Sequence, residues 1–432
     1  LIVSKTSDLI TKNHKLFLWG CKCRSGKTYM LADLILNQLT LQKTLNILII
    51  TPAPTETISQ FTDDLFNKFN DFDCFKIHNL RGLKSVEKII PCNNNIFIVS
   101  KQLLQKYTND NIIQVIKNCN LNIIVFDETH FTGTSDISEV IISSYSSTNT
   151  VKIFLTATYH KPLLKYNISK ECQLFWDVED EQICKSILLD NNNIQKLKNK
   201  HSEIYINNTI KYYKKLDQNI TQIFESYNNM PNMHVITNMF DSERYNIIKQ
   251  NIMNTCYGFS FDVLFSIKTK NNESMFTYEH EVTLFLRYIT GSNRLVDYKN
   301  GDVSIYGRIN KTCSRQPFIQ IWFLPSNNIN EISKCLTKLI NNNNILKDYD
   351  TFSINRTNTN VKDLKAEIIK REKIARSEQK QGLILLAGNM LSLGITINTC
   401  DMVILMNNSL SSDKVIQQMF RCMSEDINKK EG

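Results

Sequence analysis

The stretch WGCKCRSGKT, residues 19–28, decides how the first part of this chain is expected to fold. An apolar run from residue 16 leads into it, and a helical pattern over residues 27–39 follows it. A loop between a buried strand and a helix directs backbone N–H groups and the positive end of the helix dipole at an anion. The Gly-Lys-Thr ending adds a cation and a hydroxyl at the start of the helix. The stretch therefore predicts a phosphate-binding loop.

Outward from this loop, short apolar runs alternate with helical patterns along the first third of the chain. Apolar runs without polar alternation predict strands that are buried on both faces, as in a parallel sheet covered by helices. A repeated order of strand and helix predicts a doubly wound α/β domain. The predicted strands are 16–19, 46–50, 95–99, 122–126 and 152–155, and the predicted helices are 27–39, 56–69 and 101–107.

The last third repeats this order, so we predict a second α/β lobe. The segment 171–315 does not follow it, has a strand-like piece at 234–237, and is interpreted as a linker with an inserted subdomain. The predicted domains are therefore 1–170, 171–315 and a truncated 316–432. The strands predicted for the second lobe are 319–324, 351–354, 383–387 and 402–406, and its helices are 329–340, 363–376 and 412–423.

The bulk composition is that of an ordinary globular protein with more than one domain. The chain has 432 residues, too many for one hydrophobic core, of which 42% are hydrophobic and 22% charged. The net charge of +9 is compatible with a polyanionic partner. Twelve scattered cysteines, with no secretory leader and no membrane-spanning run, favour a reducing compartment (cytoplasm, nucleus or virion) and no membrane partner. Asparagine runs at 93–95, 191–193 and 341–344 are interpreted as polar loop tips.

A second set of candidate residues stands at the end of an apolar run, in the sequence VFDETH at 125–130. Acidic residues at the carboxyl end of a buried strand face the crevice in which such sheets bind ligands. Asp127 is placed to hold Mg²⁺ through water, and Glu128 to orient the attacking water. Lys27 would reach the β- and γ-phosphates of ATP, and the Thr28 hydroxyl would bind Mg²⁺. The loop residues expected around these phosphates are Cys23, Arg24, Ser25 and Gly26.

The sequence Asp-Glu-Thr-His at 127–130 resembles the DExH box of superfamily-two helicases, and further motifs of that family follow in its order. Residues 50–52 resemble motif Ia, 156–158 motif III, 386–396 motif V and 417–421 motif VI. The resemblance covers both ends of the chain but not the middle. It implies two RecA-like P-loop NTPase lobes that hydrolyse ATP with Mg²⁺ and bind DNA or RNA.

The resemblance also implies roles for individual residues. Arg421 would be the arginine finger of the second lobe, with Gln417 facing the same site and Gly394 at the nucleotide. Coupling between the nucleotide site and the nucleic-acid track would involve His130, Thr156 and Thr158. Contacts to the sugar–phosphate backbone give affinity without sequence preference, and they would come from Thr51, Pro52, Ser100 and Lys101.

Several positions depart from the pattern of the family. Cys21 stands where the first glycine of the loop is usual, with Gly20 displaced by one residue. Ser424 replaces the second arginine of motif VI, and Thr396 stands where many relatives have aspartate. No glutamine occurs in the first nineteen residues, so no adenine-reading Q motif is visible. The loop and the end of motif VI also resemble those of helicases of large DNA viruses.

The sequence is thus interpreted as an ATP-dependent helicase or translocase on DNA or RNA, with possible flanking domains beyond both ends. A double-strand translocase that never separates strands, as in restriction-enzyme motor subunits or remodelling ATPases, shares every motif named above. From other classes, a P-loop kinase or GTPase would not need the acidic strand end together with a distant Gln–Arg pair. A scaffold without hydrolysis would not need an intact set of Lys27, Thr28, Asp127, Glu128 and Arg421.

Overall fold

The chain, seen in a computed structural model, folds into two compact units, Leu1–Asn228 and Asn229–Gly432. Each unit has its own hydrophobic cores, so each can be described by itself. The residues that the structure describes are 1–22, 25–52, 61–80, 94–106, 111–127, 136–236, 260–271, 273–291, 304–312, 318–354, 361–388, 391, 397–409, 411–424 and 426. In these residues no helix is both long enough and apolar enough to cross a membrane.

Seven parallel strands form one sheet in the first unit. They are β1 (Leu16–Cys21), β2 (Asn46–Thr51), β3 (Phe75–Leu80), β4 (Asn94–Ser100), β5 (Ile123–Phe126), β6 (Val151–Thr156) and β7 (Gln173–Trp176). Their order across the sheet is β3-β4-β2-β5-β6-β1-β7. Nearly every residue of β1, β2, β4 and β5 is buried, as expected for strands covered on both faces. The predicted α/β fold class is confirmed.

Helices pack against this sheet and bury its apolar side chains. On the amino-terminal helix, the Thr6 hydroxyl accepts a buried hydrogen bond from Trp19 Nε1 at 3.0 Å, which ties that helix to β1. The predicted helix at 56–69 is described only from residue 61, with a π-helical turn over Thr62–Phe66. The α-helices are α1 (Ile2–Thr11), α2 (Lys27–Leu39), α3 (Lys101–Lys106), α4 (Asn111–Asn118), α5 (Asp136–Tyr145), α6 (His160–Lys165), α7 (Val178–Ile187), α8 (Ile194–His201), α9 (Glu203–Lys214) and α10 (Ile220–Phe224).

Both edge strands of this sheet, β3 and β7, were not predicted. Edge strands are covered less completely than central ones, and β3 accordingly mixes polar with apolar residues. The other edge strand, β7, has four residues and pairs with β1, so that Trp176 lies opposite Cys21. Because β7 begins at Gln173, the sheet continues past residue 170 into the segment interpreted as a linker. Helices α7–α10 follow β7 and share a small core of their own.

Asparagine side chains form a buried network at the start of the central strands. Asn95 Nδ2 donates to Asn46 Oδ1 at 2.8 Å, and Asn46 Nδ2 donates to the Cys119 carbonyl at 2.7 Å. Asn95 Oδ1 also lies 3.0 Å from His78 Nε2. The interpretation of residues 93–95 as a loop tip is therefore wrong for residues 94 and 95, which begin β4. Buried amides need internal partners, and this network supplies them.

The second unit is built on a parallel sheet of four strands in the order β11-β12-β10-β13. These are β10 (Ile319–Phe323), β11 (Tyr349–Ile354), β12 (Gly382–Ala387) and β13 (Cys400–Leu405), all close to the predicted strands. Trp322 and Phe323 are fully buried, which places them in the cores of the unit. Its helices are α11 (Phe261–Leu264), α12 (Glu279–Thr290), α13 (Ile305–Thr312), α14 (Ile329–Asn341), α15 (Val361–Ser377) and α16 (Ser412–Met419).

The middle of the chain differs from its prediction in one respect. Residues 234–236 are not in a strand, so the strand expected at 234–237 is wrong for them, and residue 237 lies outside the described residues. A short antiparallel hairpin of β8 (Ile267–Lys270) and β9 (Glu273–Phe276) occurs instead. Its Phe276 is buried in the same core as β10 and α12, so the hairpin packs on the second unit.

Gly20 should be intolerant of a side chain. A Cβ at this position would lie 2.5 Å from Phe175 Cδ1 and 3.0 Å from Tyr159 Cδ1. We expect Gly20→Ala to lower the free energy of unfolding of the first unit by about 1–3 kcal/mol, measured by chemical denaturation. Gly388→Ala is the control, because its nearest contact would be 3.6 Å and ordinary. Equal stability of Gly20→Ala and wild type would contradict the steric argument.

His78 should make the first unit less stable in acid. Burial lowers the pKa of His78, whose ring stacks on Phe97 with centroids 4.8 Å apart. The folded state therefore binds this proton less readily than the unfolded chain. Stability from this group is fully present above the unfolded pKa of about 6.5 and is lost as pH falls below it towards the lowered value.

The measurement is the thermal midpoint between pH 8 and pH 5 for wild type and His78→Gln. The variant should lose less stability on acidification than wild type, whereas His160→Gln, at an exposed position, should follow wild type. Parallel curves for wild type and His78→Gln would show that His78 does not contribute.

Candidate nucleotide-binding site

The sheet of the first unit brings most of the predicted site residues of that unit to one edge. In a parallel sheet the carboxyl ends of all strands lie on the same side, called the carboxyl edge here, and ligands bind there in folds of this class. The adjacent strands β1, β6 and β5 are followed, in that order, by the phosphate-binding loop, by residues 156–158 and by Asp127. The next two strands, β2 and β4, end at Thr51 and Ser100. The predicted motifs therefore follow five neighbouring strands.

Lys27 is the first residue of α2 and is held by the backbone of its own loop. Its Nζ donates to the Cys21 carbonyl at 3.1 Å and to the Lys22 carbonyl at 3.0 Å. The side chain is largely buried. A phosphate oxygen is a stronger, charge-assisted acceptor than a carbonyl oxygen, so an incoming phosphate can take over these donors.

Gly26 gives the loop the turn that starts the helix. Its φ of 80° lies in the left-handed region, which glycine adopts without steric cost. The Ser25 N–H donates to the Lys22 carbonyl at 3.3 Å and closes the loop before this turn. The first N–H groups of α2 have no acceptor within the helix itself, so they suit an anion. Cys23 and Arg24, also predicted here, lie outside the described residues, and Thr28 is partly exposed.

Asp127 stands directly after β5, with a largely buried side chain. Its backbone N–H donates to the Ile50 carbonyl at 2.9 Å, which continues the pairing of β5 with β2 and fixes the start of this loop. A carboxylate at this edge could hold a divalent cation together with the Thr28 hydroxyl. Glu128 and His130 lie outside the described residues, so their roles remain predictions.

Thr156 and Thr158 form a closed turn after β6. Thr156 Oγ1 donates to the Thr158 carbonyl at 2.8 Å and accepts from the Thr158 N–H at 3.0 Å. Both residues are buried. Since β6 lies between β1 and β5, this turn stands between the phosphate-binding loop and Asp127. That position is compatible with the predicted coupling role, which stays a prediction.

The four residues predicted to contact nucleic acid lie together beside this site. Thr51 and Ser100 are partners in the register of β2 and β4, and both side chains are buried. Ser100 Oγ accepts from the Leu103 N–H at 3.2 Å and so caps the start of α3. Gln102 Nε2 donates to the Pro52 carbonyl at 3.2 Å. Burial, and in second place the nearby Lys165, lower the pKa of Lys101.

In the second unit, Gln417 and Arg421 lie four residues apart near the end of α16. Gln417 is buried and Arg421 is half-buried in the 3₁₀ turn Phe420–Cys422. Ser411 Oγ caps the helix by accepting from the Lys414 N–H at 3.4 Å. Ser424, which stands at the place of a second arginine, is buried. Gly394 and Thr396 lie outside the described residues.

Cys21 is part of β1 and belongs to the core of the first unit. Burial raises the pKa of its thiol to about 12. The displaced Gly20 also has a structural explanation, because the ring of Phe175 occupies the space of a side chain. Packing of the strand therefore requires glycine at position 20. The Cys21 carbonyl still accepts a hydrogen bond from the Lys27 ammonium.

Sequence reasoning missed one pair of charged residues at this site. Lys22 Nζ lies 2.6 Å from Glu181 Oε2, and both side chains are 3% exposed. Lys22 is in the loop, but its partner is on α7, far along the chain and outside every motif. No periodicity or spacing in the sequence indicates such a pair.

Comparison with known proteins bears on the first unit. Residues 2–161 match the family described as type III restriction enzyme, res subunit. It is a helicase-like P-loop family of superfamily two, with a RecA-like domain. The match covers the strands from β1 to β6 and ends before β7. A search of curated proteins finds none that matches the chain.

Cys21 should resist alkylation in the folded protein, because the thiolate is the reactive form and burial raises the pKa to about 12. The rate of alkylation by iodoacetamide at pH 8 is measured by digestion with trypsin and mass spectrometry. The peptide 16–22 reports on Cys21, because it contains no other cysteine. Cys74 is exposed and serves as the reactive control. After unfolding, both should react. Labelling of Cys21 at the rate of Cys74 in folded protein would refute the assignment.

Proposed function

We propose that this chain is a nucleic-acid-dependent ATPase, a motor of the superfamily-two type with a DExH box. The observation that carries the proposal is the arrangement at one sheet edge, where three adjacent strands end in the phosphate-binding loop, Thr156–Thr158 and Asp127. The match of residues 2–161 to a helicase-like family supports it independently of that geometry. The likeness of the loop and of motif VI to helicases of large DNA viruses adds a viral origin to the proposal.

In the proposed reaction, residues of the first unit bind and orient ATP. Lys27 would exchange its two carbonyl acceptors for oxygens of the β- and γ-phosphates, with Ser25 and Gly26 presenting backbone N–H groups beside it. Thr28 and Asp127 would hold Mg²⁺, which would neutralise charge on these phosphates. Glu128 would orient the attacking water and accept its proton.

The remaining predicted residues complete the proposal. Arg421 and Gln417 of the second unit would contact the γ-phosphate, so that hydrolysis requires both units. His130, Thr156 and Thr158 would relay the state of the nucleotide to the track, and Gly394 would contact the nucleotide. We also propose the functional division 1–170, 171–315 and 316–432, with 171–315 as the inserted part, whose first strand, β7, completes the sheet of the first unit.

DNA or RNA would be bound through its sugar–phosphate backbone near Thr51, Pro52, Ser100 and Lys101. Thr51 and Ser100 are buried, so their contribution would come from the backbone groups that their strands present. Lys101 would contribute charge, in line with the net charge of +9. Affinity should therefore fall steeply with salt.

A second candidate function is translocation along duplex DNA without strand separation. The family matched by residues 2–161 is named for a subunit of a restriction enzyme, which favours this alternative. Strand displacement and triplex displacement distinguish the two functions. A helicase would displace a strand, whereas a pure translocase would displace only the third strand of a triplex.

The central test is the steady-state rate of ATP hydrolysis with and without single-stranded DNA, duplex DNA and RNA. One of these should stimulate the rate, and Glu128→Gln and Lys27→Ala should each lower kcat at least about 100-fold, by analogy with the loss of one essential transition-state contact. Arg421→Ala should also lower kcat, but its ATP affinity should stay closer to that of wild type than the affinity of Lys27→Ala does.

The assay has one control variant, and two results in it would contradict the proposed function. Lys12→Ala, at the exposed residue that follows α1, should leave the rate unchanged. A rate that depends on Lys27 but ignores all three nucleic acids would mean an ATPase with another partner. Folded protein without any hydrolysis would favour the scaffold alternative.

A further inference from the structure

A buried ion pair joins the phosphate-binding loop to a helix outside the matched family region. Lys22 Nζ and Glu181 Oε2 are 2.6 Å apart, and each side chain is 3% exposed. Glu181 lies in the first turn of α7, which follows β7. The pair therefore connects a residue of the loop with an element that begins after residue 161, where the family match ends.

The backbone N–H, the backbone carbonyl and the side chain of Lys22 each contact a neighbouring group. Its backbone N–H donates to the Trp176 carbonyl at 2.8 Å, at the end of β7. Its carbonyl accepts from the Lys27 ammonium at 3.0 Å and from the Ser25 N–H at 3.3 Å. Its side chain ends on Glu181. A displacement of Lys22 would therefore move one of the two carbonyls that hold Lys27.

The helix that carries Glu181 is itself fixed at its start. Asp177 and Asp180 form a reciprocal cap, in which the Asp180 N–H donates to Asp177 Oδ1 at 3.1 Å and the Asp177 N–H donates to Asp180 Oδ2 at 2.8 Å. The other oxygen of Asp180 lies 2.7 Å from His201 Nε2 on α8. Glu181 follows this cap directly, so its carboxylate is presented from a rigid turn.

A buried ion pair is weak evidence for a contribution to stability. Two buried charges lose their hydration, and replacing such a pair with apolar residues of similar size is often neutral or stabilising. Burial raises the pKa of Glu181, and the charge of Lys22 offsets this only in part. The geometry is the better guide, because the pair is a direct contact between the loop and the first turn of α7, which points to a role in placing the loop.

We propose that Lys22 and Glu181 are positioning residues for the phosphate-binding loop, and that Lys22 does not itself bind phosphate. The pair anchors the start of the loop to α7, so that the Lys22 carbonyl and the Lys27 ammonium stand ready for the nucleotide. This inference rests on the proposed ATPase function for its catalytic consequence, but the anchoring of the loop can be measured without any nucleotide.

The decisive variant is the double substitution Lys22→Met with Glu181→Leu, which removes both charges and keeps the volume. The single substitution Glu181→Gln removes one charge of a buried ion pair and is expected to destabilise the fold. Glu179→Gln is the matched control. Glu179 lies two residues before Glu181 in α7 and pairs with Lys200 at 2.7 Å, but its side chain is 73% exposed.

Three measurements are compared across these proteins. The double variant should melt within a few degrees of wild type or higher, and its amides at 16–28 should exchange with deuterium faster in the absence of nucleotide. Its affinity for a fluorescent ATP analogue with Mg²⁺ should fall about 10-fold or more. Removing the groups that orient metal-binding side chains in other proteins causes a loss of this size. Glu179→Gln should match wild type in all three.

The outcomes separate this inference from the proposed function. Wild-type exchange at 16–28 together with wild-type ATP affinity in the double variant would overturn the positioning role. Lost ATP affinity in the double variant without faster exchange at 16–28 would instead make Lys22 a phosphate ligand, against the proposal. Wild-type protein that binds no ATP would refute the ATPase, while the exchange experiment would still decide whether the pair anchors the loop.

Discussion

The two hydrogen bonds from the Lys27 ammonium to the carbonyls of residues 21 and 22 depend on the strand that precedes them. β1 is paired on one side with β6 and on the other with β7, so its end cannot shift without breaking backbone hydrogen bonds on both sides. Its side chains are buried in the core of the first unit. The sheet therefore sets the position of the Cys21 carbonyl, one of the two acceptors of the Lys27 ammonium.

The two described lysines of the loop contact different kinds of oxygen. The Lys27 ammonium is bound to neutral carbonyl oxygens, whereas Lys22 faces the carboxylate of Glu181. The carboxylate of Glu181 pairs with Lys22 inside the fold, and the loop carbonyls hold the Lys27 ammonium at the place proposed for the phosphates. The same residue type, five positions apart, can therefore serve as a ligand for phosphate in one place and as an anchor in the other.

Much of the fold follows from the sequence because its central strands are almost wholly apolar. The runs at 46–50 and 95–99 lie in strands buried on both faces, and α2 begins and ends at the predicted residues. β7 escaped prediction because four residues at an edge give little apolar signal. The strand expected at 234–237 was inferred from composition alone, and residues 234–236 are not in a strand.

The candidate site was predictable as far as it depends on strand ends. Once strands are parallel, Lys27, Thr51, Asp127 and Thr156 must gather at one edge, whatever the details of packing. The Lys22–Glu181 pair was not predictable, because it depends on where α7 is placed after a turn that no motif marks. The requirement for glycine at position 20 was not predictable either, because it depends on the ring of Phe175, which occupies the space of a side chain.

The place of β7 at the margin of the sheet has a practical consequence. A shortened protein that stopped at residue 161, where the family match ends, would leave β1 as an outer strand with unpaired backbone groups beside apolar side chains. Such strands invite pairing between molecules and aggregation. The smallest soluble piece of the first unit should therefore extend at least through β7, and the helices α7–α10, which cover their own core, set its natural limit near residue 228.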